Sequence, residues 1–386
     1  MPATRSVALL IETSRAYGRG LVRGAARYNR ERGQWLTYFQ PHGIDDPPPA
    51  WLKNWRGDGI LARIGDRKTA DLVLGTGLPA VDLRGMVPGL DVPLIGVDNR
   101  ALTRLAGDHL MERGFRHFGF CGLPPNAQHC MDQRREHFRQ LVEEAGCHCH
   151  VFQARRTRSK SGGWEQTQQR IAAWIESLPK PVGVMACNDD RGMHVLDACR
   201  RVGVKVPDDV AVIGVDDDDY LCGLSIPPLS SIDSNAERIG YEAAAMLDNM
   251  IDGQPAPEQP TYVQPGRVVT RQSTDVLATD DRHVVRAVSF IRAHACERIH
   301  VDDVLQNVNL SRAALEPRLK RVLGRTIYQE IQRVQIERAK DLLAGTSLPT
   351  KQIARQAGFK YVQHLSRVFR QVTGQTPGQY RKQAGM

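Results

Sequence analysis

A pattern of 26 or 27 residues occurs twice in the last quarter of the chain and limits what this region can fold into. The copies are VDDVLQNVNLSRAALEPRLKRVLGRT at 301–326 and TKQIARQAGFKYVQHLSRVFRQVTGQT at 350–376. Each contains an apolar helical pattern interrupted by Asn309 or Gly358, residue types that tolerate the left-handed backbone of a tight turn. Three later positions recur fifty residues on: Leu315, Leu319 and Gly324 correspond to Leu365, Phe369 and Gly374. The pattern predicts two helix-turn-helix units in tandem.

Basic charge is concentrated in the same region. Residues 280–386 hold 19 Lys and Arg against 9 Asp and Glu, whereas the preceding 279 residues hold 33 against 34. Clustered basic charge on helices suits a polyanion, because neutralising phosphates releases counterions. A solvated face on an ordinary helical bundle is the alternative, but it does not require the repeat, both turns and the segregated charge together. The region is therefore predicted to bind double-stranded DNA.

Composition limits which other classes of protein the chain can belong to. No apolar run approaches 18 residues, and the run at 7–11 is too short for a signal peptide, so neither a membrane span nor secretion is expected. Eight scattered cysteines suit a reduced cytoplasm. The alternation at 147–150 (Cys-His-Cys-His) is compatible with a strand edge or a metal site, and no second ligand pair follows at zinc spacing. We therefore predict no metal and no cofactor.

Before the repeat, short apolar runs alternate with amphipathic segments. The predicted strands are 7–11, 36–39, 59–62, 80–83, 94–97, 118–121, 183–186 and 210–215, and the predicted helices include 19–31, 102–113, 135–145, 166–177 and 192–202. This alternation predicts βαβ units with parallel sheets. Ligands of such sheets bind beyond the carboxyl ends of the strands, so the residues that follow each strand are the candidates for a site.

Polar side chains follow several of these strands, and others lie in segments expected to border the same cleft. The candidate site comprises Tyr17, Asp98, Arg134, Trp164, Asn188, Asp189 and Asp216, with Glu12, Ser14 and Asn99 nearby. Carboxylates, amides and an arginine around an aromatic ring are suited to a sugar, whose hydroxyls take paired hydrogen bonds. For each residue alone, capping of the next helix stays an equal alternative. No phosphate-binding glycine loop or nucleophile constellation accompanies them, so an enzyme is disfavoured and no catalytic residue is predicted.

Two segments carry a family resemblance. VPLIGVDNRALTRLAGDHLMERGFRHFGFCGLP (92–124) and VMACNDDRGMHVLDACRRVGVKVPDDVAVIGVDDDDYLCGLSIPPLSSI (184–232) resemble the effector-binding core of the lac repressor family and of periplasmic sugar-binding proteins. The resemblance covers most of residues 5–270. It implies an α/β sensor of two lobes, with chain crossings near 115–116, 231–235 and 262–263 and the effector between the lobes. The lac repressor family's N-terminal DNA-binding helices are not expected, because the chain begins at its first strand.

The same resemblance assigns expected roles to the candidate residues. Asp189 and Asp216 would accept hydroxyl pairs, and Asn188 and Arg134 would donate. Trp164 would stack on the sugar ring, while Tyr17 and Asp98 would contribute from the other lobe.

Residues 283–382, including TGQTPGQYR at 373–381, resemble the AraC-type DNA-binding domain. The expected organisation is a sensor at 1–272, a linker at 273–282 and an all-α DNA-binding domain at 283–386. With the segments WLKNWRGDGILA, IRAHACERIHVDDVL and QRVQIERAKDLL, this order is similar to bacterial regulators of xylose use. It implies a homodimeric activator that responds to D-xylose and binds operator or promoter DNA, with RNA polymerase as a candidate partner. Another pentose or a hexose is the alternative effector.

The AraC-type resemblance also implies which residues meet DNA. The first recognition helix is expected at 311–322, with Ser311 as N-cap, a buried face of Leu315, Leu319 and Val322, and Arg312, Ala313, Glu316 and Pro317 facing outward. The second is expected from residue 360 or 361 to 371, with Lys360, Val362, Gln363, Ser366 and Arg367 toward DNA. Glu316 suits cytosine, Gln363 adenine and Arg367 guanine.

Two expectations follow for the tandem as a whole. A helix of about twenty residues, roughly 30 Å long, should separate the two units. Pro317 removes the hydrogen bond to the Ala313 carbonyl, at a cost of about 3 kcal/mol in a helix interior. The helix is then either kinked or reads DNA through its first turn, and the second unit is expected to carry more base discrimination.

Overall fold

The computed structural model describes residues 4–32, 35–43, 46–155, 163–279 and 281–383. Its contacts divide the chain into two compact units. The first holds the described residues up to Met111 and those from Phe115 to Val276, and the second holds Glu112–Gly114 and the described residues from Leu277 onward.

The first unit contains twelve strands among its described residues: β1 (Arg5–Leu10), β2 (Trp35–Phe39), β3 (Gly59–Ala62), β4 (Ala80–Asp82), β5 (Ile95–Val97), β6 (His117–Cys121), β7 (His148–Val151), β8 (Val182–Ala186), β9 (Val210–Val215), β10 (Ser230–Ile232), β11 (Thr261–Val263) and β12 (Val268–Val269). They form a four-stranded sheet of order β2-β1-β3-β4, a pair β11-β5 and a six-stranded sheet of order β12-β10-β9-β8-β6-β7. Only the β10–β12 pairing is antiparallel among these ladders. The predicted parallel α/β architecture is confirmed.

Eight α-helices connect these strands in the described residues: α1 (Ala16–Glu31), α2 (Arg67–Leu74), α3 (Asn99–Met111), α4 (His129–Glu144), α5 (Gly163–Ser177), α6 (Asp189–Arg201), α7 (Asp219–Leu224) and α8 (Ala236–Ile251). Helices α1 and α8 pack together in the first lobe, beside the four-stranded sheet and the β11–β5 pair. Helix α3 packs against α4 and the second sheet, so α3 to α7 belong to the second lobe. Two short 3₁₀ segments, Ala50–Asn54 and Gln272–Thr274, complete the unit.

The chain passes between the lobes three times, and one predicted crossing is wrong. The first crossing was predicted at 115–116, but β5 lies in the first lobe and α3 already packs in the second, which puts it at Asp98. The second lies between β10 and α8, where Asn235 has a left-handed φ of 57°. The third follows β11, at residues 264–267.

Burial in the core of each lobe explains why certain strands could be predicted from the sequence. All residues of β8 and β9 are buried, since helices cover both faces of a parallel sheet. That burial gives the continuous apolar runs from which both were predicted. In the first lobe, Ala8, Leu10, Ile60 and Ala62 form a corresponding core.

Residues 148–150 lie in the edge strand β7, where Cys149 is buried and the rings of His148 and His150 meet edge to face with 4.6 Å between their centroids. Within the described parts of the chain, no group of three or more His, Cys, Asp or Glu side chains is arranged to hold a metal ion.

The second unit is all-helical, with α9 (Arg282–His294), α10 (Val301–Val308), α11 (Arg312–Leu323), α12 (Ile327–Gly345), α13 (Thr350–Gln356), α14 (Val362–Thr373) and α15 (Pro377–Gln383), and a 3₁₀ turn at Ala295–Glu297. One core joins α9, α10 and α11 to the first part of α12. A second core joins the rest of α12 to α13 and α14. The predicted tandem arrangement around a central helix is confirmed, and that helix has 19 residues.

The turns and caps of the repeat are formed as its residue types predict. Asn309 has a left-handed φ of 56° and Gly358 one of 84°. The Ser311 hydroxyl accepts a hydrogen bond from the Ala314 amide and caps α11. Helix α11 continues through Pro317 to Leu323. Its buried face consists of Leu315, Leu319 and Leu323, and Val322, which was predicted in that face, is partly buried and packs against the same core.

No helix in the described part of the chain is both long and apolar enough to cross a membrane.

Candidate functional site

Asp216 is the centre of a charged group between the lobes. It directly follows β9, and its φ of 100° is a left-handed conformation that a non-glycine residue rarely adopts. Its Oδ1 atom is buried and forms no hydrogen bond with the described residues. Burial raises the pKa of this carboxyl, while the nearby guanidinium groups of Arg134 and Arg63 act in the opposite direction. A carboxylate held in this way is available to accept hydrogen bonds from a ligand.

Two arginines lie beside this carboxylate from opposite lobes. Arg134 on α4 is 3% exposed; its Nε donates to Asn99 Oδ1 at 2.9 Å and its Nη1 to the Cys187 carbonyl at 2.6 Å. Arg63 directly follows β3 and forms an ion pair with the buried carboxylate of Glu12. Burial, with a contribution from Arg84, lowers the pKa of Arg63 to about 10, so it stays a cation at neutral pH.

Tyr17 completes the group from α1. Its ring lies under the Arg63 guanidinium, 5.1 Å from the ring centroid. Burial and the charge of Asp216 raise the pKa of its hydroxyl, which is therefore protonated and able to donate. The structure thus brings together three of the seven predicted residues, Tyr17, Arg134 and Asp216.

The side chains of the other four predicted residues contact partners within the protein, although Asp189 lies close enough to the group for the charge of Asp216, after burial, to raise its pKa. Both carboxylate oxygens of Asp189 are used within the protein: Oδ2 accepts from the Asp218 amide at 2.8 Å and Oδ1 from the Ser231 hydroxyl at 2.6 Å. Asn188 caps α6 by accepting from the Arg191 amide at 3.0 Å. Asp189 therefore holds the loop that follows β9. The contact observed for Asn188 is a helix N-cap, which is the alternative that the sequence left open.

Asp98 and Trp164 also make contacts outside the charged group. Asp98 accepts from the Ala101 amide at 2.9 Å, at the start of α3, and from Gln264 Nε2 at 3.0 Å. It therefore ties two chain crossings together. Trp164 is 54% exposed, its ring contacts the Arg201 guanidinium, and its Nε1 donates to His194. Residues 156–162, which precede this helix, lie outside the described residues.

Sequence analysis missed Arg63, which obeys the rule by which the other residues were chosen, and Asp82, which lies within the predicted strand 80–83 rather than after it. Arg63 follows β3, and Asp82 is the last residue of β4, where it is 3% exposed and accepts from the amides of Ile64, Arg84 and Gly85. The strand at 59–62 was predicted with its observed bounds, so reading the residue after it would have found Arg63. Asp82 could not be found in this way, because the predicted strand extended one residue beyond the observed end of β4.

The lobes are joined by polar contacts at the start of α1. Arg15 forms a bidentate pair with Asp190 at 2.7 and 2.8 Å. The Ala16 amide donates to Asp218 Oδ2 at 2.8 Å, and Arg19 lies 3.4 Å from the same atom. Because Arg15 provides no side-chain cap, the N-terminus of a first-lobe helix is capped by an aspartate of the second lobe.

The recognition helices expose polar side chains in two different arrangements. On α14, Gln363 and Arg367 are exposed and form no hydrogen bond with the described residues, while Val362 and Ser366 are half-buried. Lys360 precedes this helix with its ammonium 5.3 Å from the Tyr361 ring centroid. On α11, Ala313 and Arg312 are exposed, and the Arg312 guanidinium is paired with Glu316. Free donors and acceptors on such helices can read base edges in a major groove.

Comparison with known proteins agrees with this architecture. Residues 107–274 match the family of periplasmic binding protein-like domains, and residues 304–383 match a helix-turn-helix domain family. The xylose operon regulatory protein of Escherichia coli K12 is 34% identical over 384 residues, covering 97% of this chain and 96% of that protein. The corresponding Haemophilus influenzae protein is 32% identical over 381 residues, covering 97% of each. A solved structure of the xylose-binding transcription activator xylR has a TM-score of 0.64 at 32% identity, covering 99% of this chain and 98% of that one.

The fold and these matches define a transcription regulator in which a periplasmic binding protein-like sensor precedes an AraC-type DNA-binding region. Such a regulator is not an enzyme, which sets the enzyme alternative aside. The chain belongs to the family of xylose operon regulatory proteins.

Proposed function

We propose that this protein is a cytoplasmic, D-xylose-responsive activator of genes for xylose use. The relatives named for the xylose operon support the effector and the gene class, since they match the chain over nearly its whole length. The activator assignment is supported by the name of the related solved structure. The proposed organisation keeps a sensor at 1–272, a linker at 273–282 and a DNA-binding domain at 283–386.

The observation that carries the effector proposal is the buried, unpaired Oδ1 of Asp216. In our proposal this carboxylate accepts from sugar hydroxyls, Arg134 and Arg63 donate to sugar oxygens, and the Tyr17 hydroxyl donates from the first lobe. The group contains charges of both signs, Arg134 and Arg63 against Asp216 and Glu12, with Arg84 and Asp82 close to Arg63, which suits a neutral ligand rich in hydroxyls. The roles of Asp98, Trp164, Asn188 and Asp189 toward the sugar stay predictions.

Calorimetry tests the effector. D-xylose, L-arabinose, D-ribose and D-glucose are titrated into the full chain and into an Asp216→Asn variant, with Asp71→Asn as a control, since Asp71 is an exposed residue of α2 that pairs with Arg67 outside the site. We expect D-xylose to bind best and Asp216→Asn to lose most of the affinity. A variant that bound xylose normally would contradict the site, and tightest binding of another sugar would replace xylose as the effector.

Regulation requires the sugar to change DNA binding. We propose a homodimer whose recognition helices read paired half-sites of an operator or promoter, with RNA polymerase as a candidate partner. The coupling free energy between sugar and DNA should be about 1–3 kcal/mol, or about 5- to 150-fold in affinity. Fluorescence anisotropy on the protein's own upstream region, with and without each sugar, measures it. Equal DNA affinity in every sugar would refute sugar responsiveness, and sedimentation of the same complexes reports the stoichiometry.

A further inference from the structure

One acidic side chain lies on the outward side of the first recognition helix, in a region that is otherwise basic. Glu316 is one turn after Arg312 on α11, and its Oε2 accepts from Arg312 Nε at 2.8 Å. The exposure of the two side chains differs: 61% for Arg312 and 18% for Glu316. The guanidinium therefore extends toward solvent while the carboxylate lies behind it.

This hydrogen bond uses only part of the guanidinium. It engages Nε, and the two terminal nitrogens of Arg312 form no hydrogen bond with the described residues. End-on recognition of guanine requires two parallel N–H donors for its O6 and N7 acceptors. The pair thus leaves the two terminal nitrogens of Arg312 available for guanine. The Glu316 carboxylate also restricts the conformations that the Arg312 side chain can adopt.

The second recognition helix is built differently at the matching positions. Fifty residues on, Arg312 and Glu316 correspond to Val362 and Ser366, which cannot form such a pair. Conversely, Gln363 and Arg367 correspond to Ala313 and Pro317. Among positions 312, 313, 316 and 317, the first helix therefore has Arg312 and Glu316 as its long polar side chains, and the exposed Lys320 lies one turn beyond Glu316.

A carboxylate at this position should oppose DNA binding in general, because it repels phosphates. Its hydrogen bond with Arg312 lowers the pKa of Glu316, and Lys320 one turn later adds to that effect. The carboxylate therefore stays ionised at neutral pH. A charge that weakens general affinity is consistent with a role in sequence discrimination.

We propose that Glu316 is a positioning residue, which holds Arg312 through Nε so that its two terminal nitrogens face a guanine. This inference rests on the proposed DNA-binding function. It replaces the expectation that Glu316 itself accepts from cytosine. Arg312 contacts the base, and Glu316 acts through it.

The test measures base preference with the full-length protein. Selection from a randomised duplex library, with D-xylose present, identifies the bound site, and competition anisotropy then quantifies each base pair for Arg312→Ala, Glu316→Ala, Glu316→Gln and the double alanine variant. Arg312→Ala should lose about 5- to 150-fold discrimination at one base pair. Glu316→Ala should lose about 2- to 12-fold at the same base pair, the range expected when one long side chain is no longer immobilised.

Two further results are expected. The double variant should behave like Arg312→Ala at that base pair, and Glu316→Gln, which keeps an acceptor oxygen, should fall between the parent and Glu316→Ala. Binding of Glu316→Ala to unrelated DNA should become tighter, whereas a merely structural loss would weaken binding to all DNA. Glu337→Ala is the matched control, because it removes the same charge from a pair with Lys340 at 2.8 Å on α12. It should leave base preference unchanged.

Other outcomes overturn the inference. If Glu316→Ala changes a different base pair, or still has an effect when Arg312 is alanine, Glu316 reads the base itself. Unchanged preference in Glu316→Ala would show that the pair has no role in recognition. If the unsubstituted protein selects no sequence at all, the proposed function fails and the inference fails with it.

Discussion

Replacing Asp218 with alanine should weaken effector binding although Asp218 lies outside the charged group around Asp216. Asp218 is a second-lobe residue, 4% exposed, and its carboxylate caps the N-terminus of α1 in the first lobe. Arg19 adds an ion pair at 3.4 Å. These contacts need the lobes together, so they contribute to the closed arrangement and are lost when the lobes separate.

The magnitude follows from the contacts that the substitution removes. Loss of a helix N-cap costs about 1 kcal/mol, and the Arg19 contact brings the total to about 1–2 kcal/mol. This corresponds to about 5- to 30-fold in the closing equilibrium. If the free protein is mainly open, the apparent affinity for the sugar falls by the same factor. Asp218→Asn keeps an acceptor for the Ala16 amide but loses the charge, so its effect should be smaller.

Calorimetry with D-xylose measures this effect, and small-angle scattering without sugar reports the separation of the lobes. Asp219→Ala is the control: it removes the neighbouring charge from an exposed residue of α7. The backbone amide of residue 218 still donates to Asp189 in every variant, which preserves the loop. Unchanged xylose affinity and unchanged scattering in Asp218→Ala would refute the role of this cap in closure.

Three further predictions concern the site, the DNA-binding helices and the packing. Burial raises the pKa of Asp216, so the ionised carboxylate destabilises the folded protein above the folded-state pKa, and this cost is lost as the pH falls from the folded-state pKa to the unfolded value. Asp216→Asn should therefore raise the stability of the sugar-free protein at neutral pH in thermal unfolding, with the difference shrinking as the pH falls. Arg367→Ala should reduce preference at one base pair by about 5- to 150-fold in competition anisotropy. This loss should exceed the loss in Arg312→Ala. A larger loss in Arg312→Ala would contradict the prediction that the second helix is the main reader. Gly24→Ala should destabilise the sensor by about 1–3 kcal/mol or more, since the added carbon would lie 1.9 Å from the Glu237 carbonyl oxygen on α8. Gly223→Ala is the control: its added carbon meets open space, so this variant should unfold at the same temperature as the parent.

The strands that sequence predicted best are those buried on both faces. Gly59–Ala62 and Val210–Val215 were predicted with their observed bounds, because burial on both faces produces continuous apolar runs. Strand β7 was left open as a strand edge or a metal site, and strands β10 to β12 were missed. β4 and β5 are equally short but lie in apolar runs, whereas β10 (Ser-Ser-Ile) and β11 (Thr-Tyr-Val) are mixed in polarity and β12 has two residues, so no apolar run marks them.

The first crossing was misplaced for a related reason. Helix α3 has an ordinary amphipathic pattern, and nothing local records which lobe its apolar face meets. Its assignment depends on contacts with α4, a segment that begins later in the chain.

The candidate site shows the same limit more sharply. The residue types after each strand predicted where polar side chains would gather, and Tyr17, Arg134 and Asp216 do so. The sequence could not distinguish a carboxylate that is available to a ligand from one that holds a loop through hydrogen bonds, because Asp189 and Asp216 both follow buried strands. The difference arises from distant partners: Ser231 and the Asp218 amide satisfy Asp189, while Oδ1 of Asp216 forms no hydrogen bond with the described residues.

The two units of the tandem repeat are similar in sequence, yet their recognition helices carry long polar side chains at different positions. Ser311 caps α11 with its own hydroxyl, whereas Tyr361 gives α14 no side-chain cap. Pro317 occupies the position at which α14 carries Arg367, so α11 cannot place a basic reader there. In the proposed mode of DNA reading, its reader comes from the first turn, where Arg312 is exposed and paired with Glu316. The two helices would then impose different requirements on the base pairs they contact. The two DNA segments read by one protomer should therefore differ in sequence, even if the dimer binds symmetric half-sites.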